Sequence, residues 1–173
     1  MAATAATNGG TFASDGTVGT IAITNPSNAT SSDNSYATAI LLLNEVSNYL
    51  KATNFGFSIP SGATINGILV EVEQKINAGS ATENSIKIVK GGVISGDDQS
   101  TGATVPSTEA YVEYGGSTSK WGLTWTPADI NLSTFGVVFS LDSSVGQAYI
   151  DHIRITVYYT TATTKPTYTS KYA

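Results

Sequence analysis

Ile65-Asn66-Gly67-Ile68-Leu69-Val70-Glu71-Val72-Glu73-Gln74-Lys75-Ile76-Asn77 alternates with a period of two. Ile68, Val70, Val72 and Ile76 share one face, and Glu71, Glu73 and Lys75 the other. That is the pattern of an antiparallel strand with one face in a core and one in water. The same alternation returns near the C-terminus, where Ile153, Ile155, Val157 and Tyr159 interleave with Arg154, Thr156, Tyr158 and Thr160. Phe135, Val137, Phe139 and Leu141 predict a third strand, and Tyr49, Lys51, Thr53, Phe55 and Phe57 a fourth. Gly19–Thr24, Ser85–Lys90, Ala110–Tyr114 and Lys120–Trp125 are weaker strand candidates.

Between these runs stand turn clusters: Asn25-Pro26-Ser27-Asn28, Ile59-Pro60-Ser61-Gly62, Lys90-Gly91-Gly92, Ser95-Gly96-Asp97-Asp98 and Tyr114-Gly115-Gly116-Ser117. Gly supplies positive φ, Pro presets φ, and Asn, Asp and Ser bond their own backbone. Strands and turns at this spacing predict an all-β chain: a single antiparallel β-sandwich, jelly-roll-like, with immunoglobulin-like wiring as the other choice. Helix is confined to one turn at Thr126-Pro127-Ala128-Asp129, with Thr as N-cap and Pro at the first helical position. Thr38–Tyr49 reads as a short helix or a strand. The expected organisation is an N-terminal arm over 1–17, the sandwich over 18–160 and a C-terminal arm over 161–173. Neither arm shows apolar alternation, and both are expected to order only on a partner.

Composition removes several chemistries. The chain has 173 residues, no Cys, one His and a net charge of −5, and only 12% of it is charged, about half the usual ~25%. Without Cys there are no disulfides, thiol nucleophiles or Cys-based zinc sites, and the acidic balance leaves no basic footprint for nucleic acid. The aliphatic run Ala39–Leu43 is far short of the ~20 residues of a membrane span. The first ten residues carry no legible secretory signal. At 40% apolar, the chain is not a disordered acidic one.

Candidate sites are few. Asp151 and His152 are neighbours, but strict alternation puts them on opposite faces, with His152 beside Arg154 and Thr156 on the outer one. No catalytic triad is expected. Glu71 and Glu73, about 7 Å apart along one strand face, read as a solvated surface rather than as an acid–base pair, and no enzyme is predicted. Calcium candidates are the loop holding Asn25, Asn28, Asp33 and Asn34, and the pair Asp97–Asp98, because oxygen-rich loops can supply the ligands this ion takes. Trp121, Leu123 and Trp125 fall on one face of the expected strand, either as core or as a stacking platform for a saccharide. Thr11, Phe12, His152, Arg154, Tyr158, Tyr168 and Tyr172 are the candidate interface residues.

Four stretches read together carry a resemblance. They are Asn25-Pro-Ser-Asn-Ala-Thr-Ser-Ser-Asp-Asn-Ser-Tyr-Ala37, Asn54-Phe-Gly-Phe-Ser-Ile-Pro-Ser-Gly-Ala-Thr-Ile-Asn-Gly-Ile68, Tyr114-Gly-Gly followed by Trp121-Gly-Leu-Thr-Trp-Thr-Pro-Ala-Asp-Ile-Asn131, and Ile150-Asp-His-Ile-Arg-Ile-Thr-Val-Tyr-Tyr159. In order and spacing, residues 18–160 resemble a β-sandwich domain of structural proteins of tailed bacteriophages. The resemblance implies a virion component made in the host cytoplasm, with no catalytic set. A capsid decoration (cement) protein is the leading expectation, binding the major capsid or other virion proteins as a homo-oligomer, with a trimer favoured. The alternatives are a tail, fibre or baseplate module, binding saccharide through Trp121 or Trp125, and a self-assembling surface filament subunit that donates a strand.

Overall fold

The structure, a computed structural model, describes residues 1–161. It is all-β: nine strands join one hydrogen-bonded sheet in which every pairing between strands is antiparallel. They are β1 (Ala2–Ala3), β2 (Thr7–Asn8), β3 (Thr11–Asp15), β4 (Ala37–Leu41), β5 (Tyr49–Thr53), β6 (Thr64–Lys90), β7 (Val93–Ser95), β8 (Ala110–Gly116) and β9 (Gly136–Thr160). A 3₁₀ turn covers Pro26–Ala29, and α1 covers Pro127–Asn131. No helix among the described residues is long and apolar enough to cross a membrane.

The period-two runs Ile65–Asn77 and Ser85–Lys90 are two ends of the single strand β6. The runs beginning at Phe135 and Ile153 are likewise joined in β9. A straight strand of 27 residues would reach about 90 Å, far beyond the girth of a body of this size, so the β6–β9 ribbon must bend. It does so through five register irregularities along the pairing, each an extra residue that kinks and twists the strand. Midway, Gly79 is paired with Gly146 and has φ +72°.

Beyond the bend, each half of the ribbon has its own flanking strands. The first half pairs with β8 on one edge and with β1, β2 and β4 on the other; the second pairs with β7 and with β5, which carries β3. Ile68, Val70, Val72, Ile153, Ile155 and Val157 from the first half and Ile86, Ile88, Val137, Phe139 and Leu141 from the second form one buried cluster. Tyr114 of β8 meets Phe139 of the other half at 6.2 Å between ring centroids. Burial of these side chains, worth roughly 1.5–3 kcal/mol each, holds the folded-over sheet together.

Three expectations are corrected. Residues 1–17 are not an arm outside the sheet: β1 and β2 pair with the edge of β9, and β3 pairs with β5. Their bland sequence suffices because main-chain hydrogen bonds such as Thr4 N to Val157 O, 3.0 Å, need no particular side chain. Lys120–Trp125 is turn rather than strand, because Trp121 and Gly122 both take left-handed backbone angles, φ +55° and +68°. β5 stops at Thr53 instead of running on to Phe57, since Asn54 and Gly56 also have positive φ. The helical turn stands where its caps place it, with Thr126 Oγ1 accepting from Asp129 N and Asp129 Oδ2 accepting from Thr126 N. Thr38–Tyr49 begins in strand β4, turns at residues 43 and 44 and ends on the first residue of β5. The expected C-terminal arm, with Tyr168 and Tyr172, lies outside the described residues apart from residue 161.

Candidate functional site

The outer face of the first half-sheet carries a cluster of charged and polar side chains. Strand alternation sends Glu71, Glu73 and Lys75 to this face, and β8 adds Tyr111 opposite Glu73. On β9, His152 pairs with Glu73 while the next pairing is Gln74 with Ile150, so Asp151 is the extra residue of a β-bulge. The bulge breaks the strict alternation that the sequence suggests. Asp151 and His152, expected on opposite faces, both reach the side where Glu73 stands.

Nor is this face a solvated surface. The segment 30–36 lies over it: Thr30 bridges to His152, and Asn34 N donates to Asp151 Oδ2 at 3.2 Å. Tyr36 stacks on Tyr149 with ring centroids 4.5 Å apart. Asp151, His152 and Glu71 keep only 2%, 6% and 8% of their surface exposed, so His152 is a covered residue and not a surface one.

Two cations hold part of this negative charge. Arg154 grips Glu71 with two hydrogen bonds, Nε to Oε2 at 2.9 Å and Nη2 to Oε1 at 2.7 Å, and its guanidinium lies 3.9 Å from the Tyr111 ring centroid. Lys75 Nζ donates to Glu109 Oε2 at 2.7 Å and to Tyr36 Oη at 2.6 Å. Those contacts raise the Lys75 pKa. Glu109 has its carboxyl lowered despite burial, because Lys75 and Tyr36 bond to it. Three carboxylates then converge: one oxygen from each of Glu73, Glu109 and Asp151 lies within 4.8 Å of the others.

The calcium candidates fall differently. Asp33 accepts from Ser31 Oγ and Ser35 N, both at 2.9 Å, and so closes its own turn. Asn34 has φ +66° and offers its backbone N–H to Asp151. Asp98 Oδ1 accepts from Ile86 N at 2.9 Å and Ser100 N at 3.0 Å, tying a loop to β6. Asp97 faces Gly122 across the turn at Trp121. Of the two expected loops, the one with Asp33 and Asn34 covers the carboxylate cluster but contributes no carboxylate to it. Glu109 carries no signal in the sequence, since it lies in a loop just ahead of β8 with no flanking ligand pattern.

The aromatic candidates divide. Trp121 is 1% exposed and donates Nε1–H to Ile68 O at 3.0 Å. Trp125 is half-buried, edge-on to Phe135 at 5.5 Å and under Lys90 Nζ at 5.3 Å. Of the interface candidates, Thr11 is exposed, and Phe12, Arg154 and Tyr158 are half-buried. A surface not expected from the sequence is the tip at the end of β4, where Ile40, Leu42 and Leu43 are 59%, 62% and 62% exposed. A run of three Leu after an Ile signals core in a sequence, and only the strand end at Leu41 shows that its neighbours face out.

His152 is expected to make the fold sensitive to mild acid. Burial first, and Arg154 second, hold its imidazole below the ordinary 6.5, so the unfolded chain gains this proton at a higher pH than the folded one. Stability is therefore intact above 6.5 and falls as pH drops below it toward the folded value. Asp151 acts in the opposite sense, because burial raises its carboxyl above the ordinary 3.8; its contribution is lost as pH rises through the folded value. In thermal melts His152→Gln should flatten the loss of stability just below the ordinary His value. An unchanged slope would assign that loss to other groups.

Compared with protein families, curated proteins and solved structures, the chain has no match.

Proposed function

We propose that the chain is a non-enzymatic structural protein of a tailed-phage virion, of the capsid decoration type, which binds an assembled shell through an apolar tip. The observation that carries this reading is the exposure of Ile40, Leu42 and Leu43 next to the bend of the β6–β9 ribbon, beside a shallow groove formed with Ala78, Gly79 and Gln147. Clustered exposed aliphatic side chains mark a contact surface. Low charge supports the same reading, since many copies can pack closely without strong mutual repulsion. The N-terminus supports it too: β1 and β2 are held by pairings of two residues each, short enough to be exchanged for a neighbour's edge.

The test is binding to empty heads of a tailed phage, read as copies per particle by imaging and by co-sedimentation. Wild-type protein should bind at fixed stoichiometry. Leu42→Asp with Leu43→Asp should abolish binding while leaving the melting temperature nearly unchanged, since exposed substitutions usually move stability by less than about 0.5 kcal/mol. Equal occupancy by wild type and the double variant would remove the tip from the contact. Polymerisation without heads would favour the filament reading. A glycan-induced shift in Trp fluorescence would favour the saccharide-binding tail module, with Trp125 as its stacking residue.

A further inference from the structure

Each carboxylate of the converging trio has one buried oxygen with no hydrogen-bond partner: Glu73 Oε2, Glu109 Oε1 and Asp151 Oδ1. Such groups are rare in folded proteins, because an unpaired buried acceptor loses its water without replacement, and each one asks for a bound partner or a role. Asp151 is the most buried of the three. Its residue is only 2% exposed, its Oδ2 is taken by Asn34 N, and Oδ1 remains unpaired. Its second oxygen thus has neither solvent nor a donor.

The charge count points the same way. Three carboxylates face one ammonium, Lys75, which is already bound to the other oxygen of Glu109; Arg154 is committed to Glu71. Two negative charges are left over, and Asp151, only 2% exposed, has almost no access to water. The unpaired atoms are all hard oxygens, and one oxygen from each of the three carboxylates lies within 4.8 Å of the others. With metal–oxygen distances of roughly 2.1–2.6 Å, as hard divalent cations take, two ligands of one ion lie at most about 5 Å apart.

We infer that Glu73, Glu109 and Asp151 bind one hard divalent cation, of the Ca²⁺, Mg²⁺ or Mn²⁺ class, with water completing its shell. The ion joins β6, the segment entering β8, and the bulge of β9. Through Asn34 on Asp151 it also fixes the 30–36 segment onto the sheet. The partners already in place orient the ligands: Lys75 and Tyr36 hold Glu109 from its far oxygen, and Asn34 holds Asp151. Such outer contacts set ligand geometry in metal sites. This inference stands apart from the virion reading, since it rests on a different face of the molecule.

The test uses the whole protein, stripped with chelator and then given CaCl₂, MgCl₂, MnCl₂ or ZnCl₂ singly. At least one of the first three should raise the melting temperature, by about 5 °C or more at a large excess of ion over Kd. Tb³⁺, which takes oxygen ligands as Ca²⁺ does, should show emission sensitised by Tyr36 and Tyr111, displaced by the binding ion. Glu73→Gln and Glu109→Gln should each weaken binding by about tenfold or more, because affinity for hard cations follows the carboxylate count. Glu113→Gln, an exposed carboxylate on β8 outside the trio, should leave it unchanged. The inference is overturned if none of the three ions shifts the melt and Tb³⁺ emission is equal in wild type and Glu73→Gln. A response to Zn²⁺ alone would also overturn it, as would carboxyl NMR showing a proton shared by Asp151 and Glu109 that persists with each ion in excess.

Discussion

Trp121→Ala is expected to lower the free energy of unfolding by about 3–5 kcal/mol, the range for emptying a buried large aromatic site. The indole is 1% exposed, and its N–H satisfies the Ile68 carbonyl at 3.0 Å. The surrounding chain is shaped to receive it. Gly115 has no Cβ, and one placed there would meet the indole Nε1 at 2.8 Å. Trp121 also holds a positive φ of 55°, which costs a residue with a bulky side chain energy that its contacts must exceed. Urea unfolding followed by circular dichroism measures the effect. Trp121→Phe, which keeps most of the apolar volume and loses the N–H, should fall between the two. A midpoint for Trp121→Ala within experimental error of wild type would mean that the indole does not hold the turn to the sheet. The saccharide reading of this residue meets the same measurement, because a stacking platform at the surface can be truncated at little cost to stability.

Gly79→Val should be comparably severe, for a different reason. The β6–β9 ribbon can share one core between its halves only if it bends, and Gly79 sits at the bend with φ +72°. A Cβ at this position would run into the carbonyl oxygen of Val145 on the partner strand. A β-branched residue is thus disfavoured twice: the left-handed conformation costs roughly 1–2 kcal/mol, and the overlap with backbone must be relieved by opening the pairing at Gly146. The expected loss is on the order of 3 kcal/mol or more, with a broader, less cooperative melt. Gly91, which has φ +58° and where a Cβ would find nothing within 4 Å, provides the comparison: Gly91→Ala meets the φ cost alone. If Gly79→Val melts no lower than Gly91→Ala, steric crowding at the bend is not what limits the fold.

The two substitutions mark where the sequence could and could not be read. Alternation at Ile68, Val70 and Val72 requires an inward face whatever the topology, so the strands were legible along with the all-β class. The helical turn was legible because Thr126, Pro127 and Asp129 act on their own neighbours. The bend was not. Asn77-Ala78-Gly79-Ser80 looks like a break between strands, and whether such a segment ends a strand or kinks it depends on what pairs opposite.

The candidate cation site follows the same division. Glu73 and Asp151 were visible as carboxylates, and strict alternation placed them on different faces. The bulge at Asp151 reversed that, and a bulge in a run of β-branched and polar residues has no composition of its own. Glu109 reaches the cluster only because β8 pairs with β6 in the register that sets Tyr111 against Glu73.

By itself, then, the sequence determined which chemistry was available and the period in which the chain is written: no thiol, a single imidazole, few charges, and β-strands with one apolar face. Those are properties of residues and of their nearest neighbours along the chain. Tertiary structure decided which strands were one strand, that residues 2–15 add to the sheet, that Trp121 is core, and that three carboxylates from distant positions meet under the 30–36 segment. Each of these depends on contacts between positions far apart in the chain, where a shift of one residue in register moves a side chain from one face of a sheet to the other.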